Sequence, residues 1–513
     1  MAMSATRAAG PPAQFSHNEI LKILSGALIG LLLAALDQTV VVTALPAIAD
    51  DLNGIQHLSW IVTAYLLTST ASTPIYGKLS DLYGRRRLII VGICVFVAAS
   101  AFCASAQSMG QLIAARALQG IGGGALISMS QAIIADVISP RERGKYQVYM
   151  SGVWALASVG GPVLGGVFVQ YLTWRWVFWI NLPIGALGLV LCWNALKRLP
   201  VHGGYSRIDY LGAAVLIPGV VALLLVASWG GVEFPWLSPP ILGLTGAGIL
   251  LLVLFALQEL RALEPLLPPR LFVSPVILTA NLIGFVVSAG MFGATVLLPV
   301  FIQLVLGKDA GDTGLMLIPL MGGTVLGAYP TGQWMRASGR YKKAPMLTLC
   351  FAIVAFGALA FANGASSTWY VDCFVGLLGI GMGGAMPATL VAAQNAAEAR
   401  DIGAATASVA FFRSLGGSFG AAFLWAVLLA ALEARLAQVG AAGMANALLR
   451  GGSETSAVGA AARAALPNAL AHGFHWAFAC GAVIMAVALA LTLSWKEIPL
   501  RAHVARAEPT AEI

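Results

Sequence analysis

Long apolar runs alternate with short polar joints along almost the whole chain, and runs of about 18 residues or more predict membrane-spanning helices. Fourteen such runs can be read. The first six are Ile20–Ile48, His57–Tyr76, Leu88–Ala106, Gln111–Ile134, Tyr146–Leu172 and Val177–Leu196. Two follow at Tyr210–Ser228 and Pro240–Leu260, and six more at Pro275–Leu306, Thr313–Trp334, Pro345–Phe361, Trp369–Ala393, Gly403–Leu432 and Phe474–Trp495. No small-residue cleavage site closes a short apolar core in the first run, so it reads as an uncleaved helix rather than a signal peptide. An even number of spans puts both termini on one side. The expected organisation is a tail (1–19), a six-span half (20–196), an inserted pair with its loops (197–274), a second six-span half (275–495) with an extracytoplasmic loop near 433–469, and a loose polar tail (496–513).

Composition agrees. The chain is 59% hydrophobic and 10% charged with a mean hydropathy of +0.86, against about 25% charged residues in soluble domains. This is the composition of an all-α polytopic membrane protein. Most of the 29 Lys and Arg fall in joints on the side of the termini, among them Lys78, Arg85, Arg86, Arg87, Arg141, Arg143, Lys145, Arg336, Arg340, Lys342 and Lys343. The opposite side has Arg175, Lys308, Arg435, Arg450 and Arg463. By the positive-inside bias both termini are cytoplasmic, in a cytoplasmic (inner) membrane. The six cysteines lie in apolar runs without a CxxC pair, as small core residues do. There is no GxxxxGK[ST], and GIGMGG at Gly379–Gly384 lies within an apolar helix with no strand before it, which argues against a nucleotide site. No cofactor, metal or nucleic acid is expected, and no convergent acid, base or metal set suggests an enzyme.

The two six-span blocks echo one another, as duplicated transporter halves do. Gly77, Asp81, Gly84 and Arg85 in GKLSDLYGR recur as Gly332, Arg336, Gly339 and Arg340 in GQWMRASGR, an offset of 255 residues. LQGIG from Leu118 recurs as LLGIG from Leu377, and TALP ending at Pro46 as VLLP ending at Pro299. Against this repeat three charges stand out inside spans: Asp37, Arg116 and Arg413. An Asp at the centre of a spanning helix costs roughly 2.5–3.5 kcal/mol on insertion scales, so it normally faces a polar path or a partner. Asp37 falls opposite Gly290 in the repeat, and Arg116 opposite Val375 and Gly376. A charge needed only to hold the fold would be needed in both halves. Similar depths allow Asp37 and Arg116 to pair. A carboxylate between a nearby cation, which favours its charged form, and desolvation, which disfavours it, can take a proton in one state and release it in another. Asp37 and Arg116 are therefore the candidate proton-coupling pair. Arg413, after Phe411 and Phe412, meets either an anionic group or a carbonyl. Trp60, Tyr65, Asn281, Phe411 and Arg413 are candidate substrate-cavity residues, with interhelical hydrogen bonding as the plainer reading of Asn281.

The loop GKLSDLYGRRR, RALQGIGGG at Arg116–Gly124, SVGGPVLGG at Ser158–Gly166, LDQTVVVTALP in the first span and FFRSLGGSFG at Phe411–Gly420 together resemble the signatures of the major facilitator superfamily, in its fourteen-span drug:proton antiporter branch. The resemblance implies a latch between the halves at Gly77, Asp81, Gly84, Arg85 and Arg86, which holds the outward-facing state. It is strong in the first copy and degenerate in the second, where Arg336 replaces the acid. It also implies that Gly160, Gly161, Pro162, Gly165 and Gly166 seal the fifth span against ion leak, with close helix packing as the plain alternative. The expected activity is export of small amphipathic or drug-like compounds in exchange for protons, driven by the proton gradient, with the substrate, protons and the lipid bilayer as partners. A uniporter or importer, and a transport-inactive sensor, are the alternatives. A periplasmic adaptor is left open.

Overall fold

The structure, a computed structural model, describes residues 17–52, 57–198, 209–231, 233–262, 264–438 and 460–501. In the first half α1 (His17–Asp51), α2 (Leu58–Tyr83), α3 (Arg85–Ala104), α4 (Met109–Val137) and α5 (Pro140–Tyr171) are followed by a broken sixth span, α6 (Trp176–Trp179) and α7 (Asn181–Ala195). The inserted pair is α8 (Tyr210–Trp229) and α9 (Pro239–Glu259), with a short α10 (Pro269–Val273). The second half comprises α11 (Pro275–Leu304), α12 (Ala310–Ser338), α13 (Lys343–Ala360), α14 (Thr368–Ala396), α15 (Ile402–Gln438) and α16 (Ala460–Ser494). Among the described residues, thirteen spans are long and apolar enough to cross a membrane by length and composition. The fourteenth is α2, which is rich in Ser and Thr and lies packed along α4 and α15.

Helix boundaries follow local chemistry. Pro140, Pro239, Pro269 and Pro275 open helices, where a missing N–H costs nothing. Ser108, Asp209 and Asp309 accept N-capping hydrogen bonds. Two boundaries differ from expectation. Helical structure continues to Gln438 and resumes at Ala460, so both ends of the loop expected near 433–469 are helical, and its middle lies outside the described residues. The tail after Trp495 is docked, not loose, as far as Arg501. Buried Trp495 donates its indole N–H to Val276 O at 3.0 Å, and Asn395 bonds Pro499 O and Arg501 N. Tyr341 donates to Lys496 O at 2.7 Å and accepts from Ile498 N at 3.0 Å. Burial pushes its phenol up to about 12, so it remains a donor. These contacts use backbone groups of the tail, which residue type does not disclose.

The duplication is visible in the packing. In the first half α2 lies on α4, α1 on α5, α3 on α4 and α1 on α7; in the second α12 lies on α14, α11 on α15, α13 on α14 and α11 on α16. The halves meet along two seams, α2 with α15 and α5 with α12. The inserted pair covers the first. Leu216, Val220 and Leu224 of α8 and Phe255 of α9 share a core with Leu67 and Ala71 of α2 and Phe411 and Leu415 of α15. The loop after α9 is pinned to both halves, since Glu264 pairs with Lys78 of α2 at 2.7 Å and Arg270 holds Asp401, at the foot of α15, through two bonds of 2.8 Å.

Candidate functional site

Asp37 of α1 and Arg116 of α4 meet in a fully buried ion pair, with Arg116 Nη1 2.5 Å from Asp37 Oδ2. Four helices build the surroundings. Gln119, one turn beyond Arg116 on the same face of α4, donates its amide to Asp37 Oδ1 at 2.8 Å and accepts from Arg116 Nη1 at 2.6 Å. Asn181, the first residue of α7, donates to the same Oδ1 at 3.1 Å. Ser100 of α3 accepts from both amides, at 2.8 and 3.3 Å. Arg116 also donates Nε–H to Ile61 O at 3.1 Å and lies over the Tyr65 ring, 4.5 Å from its centroid. Gly120 and Gly123 admit α2 this closely: a Cβ at either would fall 2.3 Å from Tyr65 atoms. Both carboxylate oxygens therefore accept charge-assisted or amide hydrogen bonds, which is what a charge removed from water requires. In the second half the corresponding positions are apolar, with buried Gly290 against Met485 and Val375 inside the core.

A second polar cluster joins the halves at the face that carries the termini. Gly84 ends α2 and starts α3 at φ 86°, a conformation that excludes most side chains. This sharp turn sets Arg85 beside Asp81, Nη2 to Oδ1 2.5 Å, and beside Asp136, Nε to Oδ2 3.0 Å. Asp81 in turn accepts the backbone N–H of Gly403 at 3.0 Å and of Ala404 at 2.9 Å, the free donors at the start of α15. Gly77 and Gly403 let α2 and α15 touch; a Cβ on Gly77 would lie 2.3 Å from the Ala407 Cβ. Arg86 points away from the seam, stacking on Trp193 and donating to its carbonyl at 3.2 Å. At the other seam the chemistry is inverted. Arg141 of α5 donates to the last carbonyls of α12, Arg336 O at 2.9 Å and Ala337 O at 3.3 Å, and beside this seam buried Arg143 donates to Gln394 of α14 at 3.2 Å. With Arg336 in place of an acid, a cation at a helix C-terminus replaces an anion at a helix N-terminus.

The glycines of α5 divide by helical period. A Cβ on Gly161 or Gly165 would meet Thr39 or Thr43 of α1 at 2.0 and 1.9 Å, whereas Gly160 and Gly166 have nothing within 4 Å and Pro162 is exposed. Thr39 bonds Ala157 O across this contact at 2.8 Å. Gly161→Val is accordingly expected to destabilise the α1–α5 contact by about 1–3 kcal/mol through overpacking, lowering the thermal midpoint in detergent, while Gly160→Ala leaves it unchanged. Equal midpoints for the two variants would refute this division.

Of the five candidate cavity residues, three have structural surroundings. Trp60 packs edge-on to Trp229 of the inserted pair, centroids 5.6 Å apart, and Phe411 is buried in the same cluster. Asn281 is buried and bonds Ser408 of α15 at 3.3 Å, as interhelical glue. Aromatic residue type does not disclose which face of a helix meets a neighbour, and the inserted pair supplies an apolar neighbour of its own. Tyr65 belongs to the Arg116 site. Arg413 donates to Met386 O and, at 2.9 Å, to Thr389 Oγ1, so it meets a carbonyl and a hydroxyl. Gln119, Ser100 and Asn181 were not anticipated. The i,i+3 spacing of Arg116 and Gln119 was the one signal available in the sequence.

Fold and site together define a polytopic helical carrier made of two repeated halves. The family model for the Major Facilitator Superfamily matches residues 27–421, and the chain belongs to that superfamily as a non-enzymatic transporter. It is 38% identical over 408 residues to the multidrug transporter protein MdtP of Bacillus subtilis, covering 79% of this chain and 75% of the relative. It is 35% identical over 432 residues to the MFS-type efflux pump LUC4 of Fusarium sp., covering 82% and 76%. Among solved structures, the human organic anion transporter MFSD10 superposes with a TM-score of 0.65 at 15% identity, over 94% of this chain and 100% of that one, a likeness of fold.

Proposed function

We propose that this chain exports small amphipathic or drug-like compounds in exchange for protons by alternating access, in a cytoplasmic membrane with both termini inside. The observation that carries the reading is the buried Asp37–Arg116 pair, held by hydrogen bonds from three helices of the first half and replaced by glycine and valine in the second. Efflux relatives support the direction and substrate class. Asp37 takes the proton and Arg116 opposes it, so a proton and a cationic or polar substrate group compete for one carboxylate. The latch from Asp81 to Gly403 and Ala404, together with Arg141 and Arg143 at the opposite seam, closes the cytoplasmic face in this state. Breaking those contacts opens the site to the cytoplasm, where the proton leaves and the compound binds. No cofactor takes part; the proton gradient supplies the energy.

The test is proton movement in inverted membrane vesicles holding a preformed pH gradient, with ethidium and a panel of apolar and cationic compounds added in turn. Wild type is expected to dissipate the gradient on addition of at least one compound, and Asp37→Asn is expected not to. Transport of a labelled compound without proton flux would replace exchange by uniport. Full coupling in Asp37→Asn would return the carboxylate to a structural role.

A further inference from the structure

Asn181 stands in an unusual place. It is the first residue of α7, directly after the break at Ile180 that separates α6 from α7, and the outer positions of that helix, Leu187, Val190 and Trp193, are exposed apolar side chains. Yet its own side chain is wholly buried and reaches Asp37 from a helix that supplies nothing else polar to the site. Its orientation is dictated. An ionised carboxylate only accepts, so the amide nitrogen must face Oδ1, and that nitrogen uses its two hydrogens on Asp37 and on Ser100. The amide oxygen, Oδ1 of Asn181, is then buried with no hydrogen-bond partner. An unpaired buried acceptor is costly and calls for an explanation.

The geometry points to Asn181 as the positioning residue of the proton site, donating through Nδ2 to the ionised Asp37 and, turned over, accepting through its amide oxygen from the O–H of the protonated one. This inference rests on the reading of Asp37 as the proton carrier. An amide can make both bonds because it has a donor and an acceptor at one end. The proton enters on Asp37 Oδ1, since Oδ2 is engaged by Arg116. Gln119 keeps donating to the remaining lone pair of Oδ1, and the Ser100 hydroxyl, which now donates to Phe96 O at 2.8 Å, is free to rotate towards the turned amide. The buried acceptor without a partner is thus the acceptor used in the other protonation state. Other charged or titratable groups facing Asp37 are Arg116 on α4, Tyr65 on α2 and Cys103 on α3; among the described residues α5, α6 and α7 add none.

The experiment is an infrared titration of the purified full-length protein in lipid, following the carboxylic acid band that disappears in Asp37→Asn. Asn181→Leu removes donor and acceptor at nearly constant volume. The bond to the charged form is the stronger of the two, so the variant is expected to bind the proton roughly three- to tenfold more tightly, with the midpoint moved to higher pH. Its acid carbonyl band is expected at higher frequency, because the O–H has lost its acceptor. Asn181→Ala carries the same test if the leucine variant does not fold, and Ser100→Ala, which leaves the Asn181–Asp37 bond in place, is expected to move the midpoint less. A midpoint and band in the Asn181 variants that superpose on wild type would overturn the proposal. If no band titrates in wild type, or if Asp37→Asn retains it, the proton-carrier reading itself fails instead.

Discussion

Arg116→Leu is expected to cost about 3–5 kcal/mol of stability, the penalty for leaving one member of a buried ion pair without the other, while Asp37→Asn/Arg116→Leu recovers most of that loss. Both charges are 1% exposed, and Arg116 engages Asp37, Gln119 and Ile61 O at once, so nothing else among the described residues can compensate the carboxylate when the guanidinium goes. The double variant keeps a neutral amide that Gln119 and Asn181 can still meet. A sign follows for pH. The single variant can relieve its uncompensated charge by taking a proton, so its deficit should shrink as pH falls, and the double variant should show no such recovery. Thermal midpoints measured by fluorescence-detected size exclusion across pH, with membrane abundance alongside, read both effects. Neither variant is expected to couple transport to protons. Arg116→Leu with wild-type stability at neutral pH would show that the pair is not what neutralises Asp37.

How much of this was legible in the sequence depends on whether the signal was a charge, a spacing or a facing direction. Charges in apolar runs are rare enough that Asp37 and Arg116 identified each other across 79 residues. The contact point at Asp81 was legible because glycine and acid spacings restrict the backbone. Its partner was not, since Gly403 and Ala404 contribute only backbone N–H groups. Asn181 and Ser100 are ordinary polar residues in apolar helices, and residues of that type more often bond any convenient neighbour; only three-dimensional placement turns them toward Asp37. Trp60 and Phe411 show the converse case: residue type offers them as cavity aromatics, and the structure packs them beside the inserted pair. The inserted pair had no assigned place beside the bundle, so the side of α2 and α15 it covers could not be told from a side facing the substrate path. The repeat arithmetic gave the duplicated packing correctly but not the inversion at the second seam, where Arg141 meets helix carbonyls.

Gly403→Val is expected to abolish transport while leaving the protein abundant. A Cβ there would fall 2.5 Å from both Arg85 Nη1 and Asp81 Oδ1 and 2.6 Å from Gly77 O, and the last of these is backbone that cannot step aside. The valine would drive α15 off α2 and pull the Gly403 and Ala404 N–H groups from Asp81. Each half retains its own core, and neither core depends on this crossing, so folding should survive. The loss should appear as an opened terminus-bearing face rather than as unfolding. Spin labels placed on exposed Tyr83 and Arg400 flank the seam, and their distance, measured by double electron–electron resonance in lipid, should lengthen in the variant. Asp81→Asn keeps the shape but weakens the charge at the start of α15, so it should shift only part of the distance distribution. If Gly403→Val transported like wild type with an unchanged distance, the α2–α15 crossing would be a packing contact and the gate would have to lie at Arg141 and Arg143 instead.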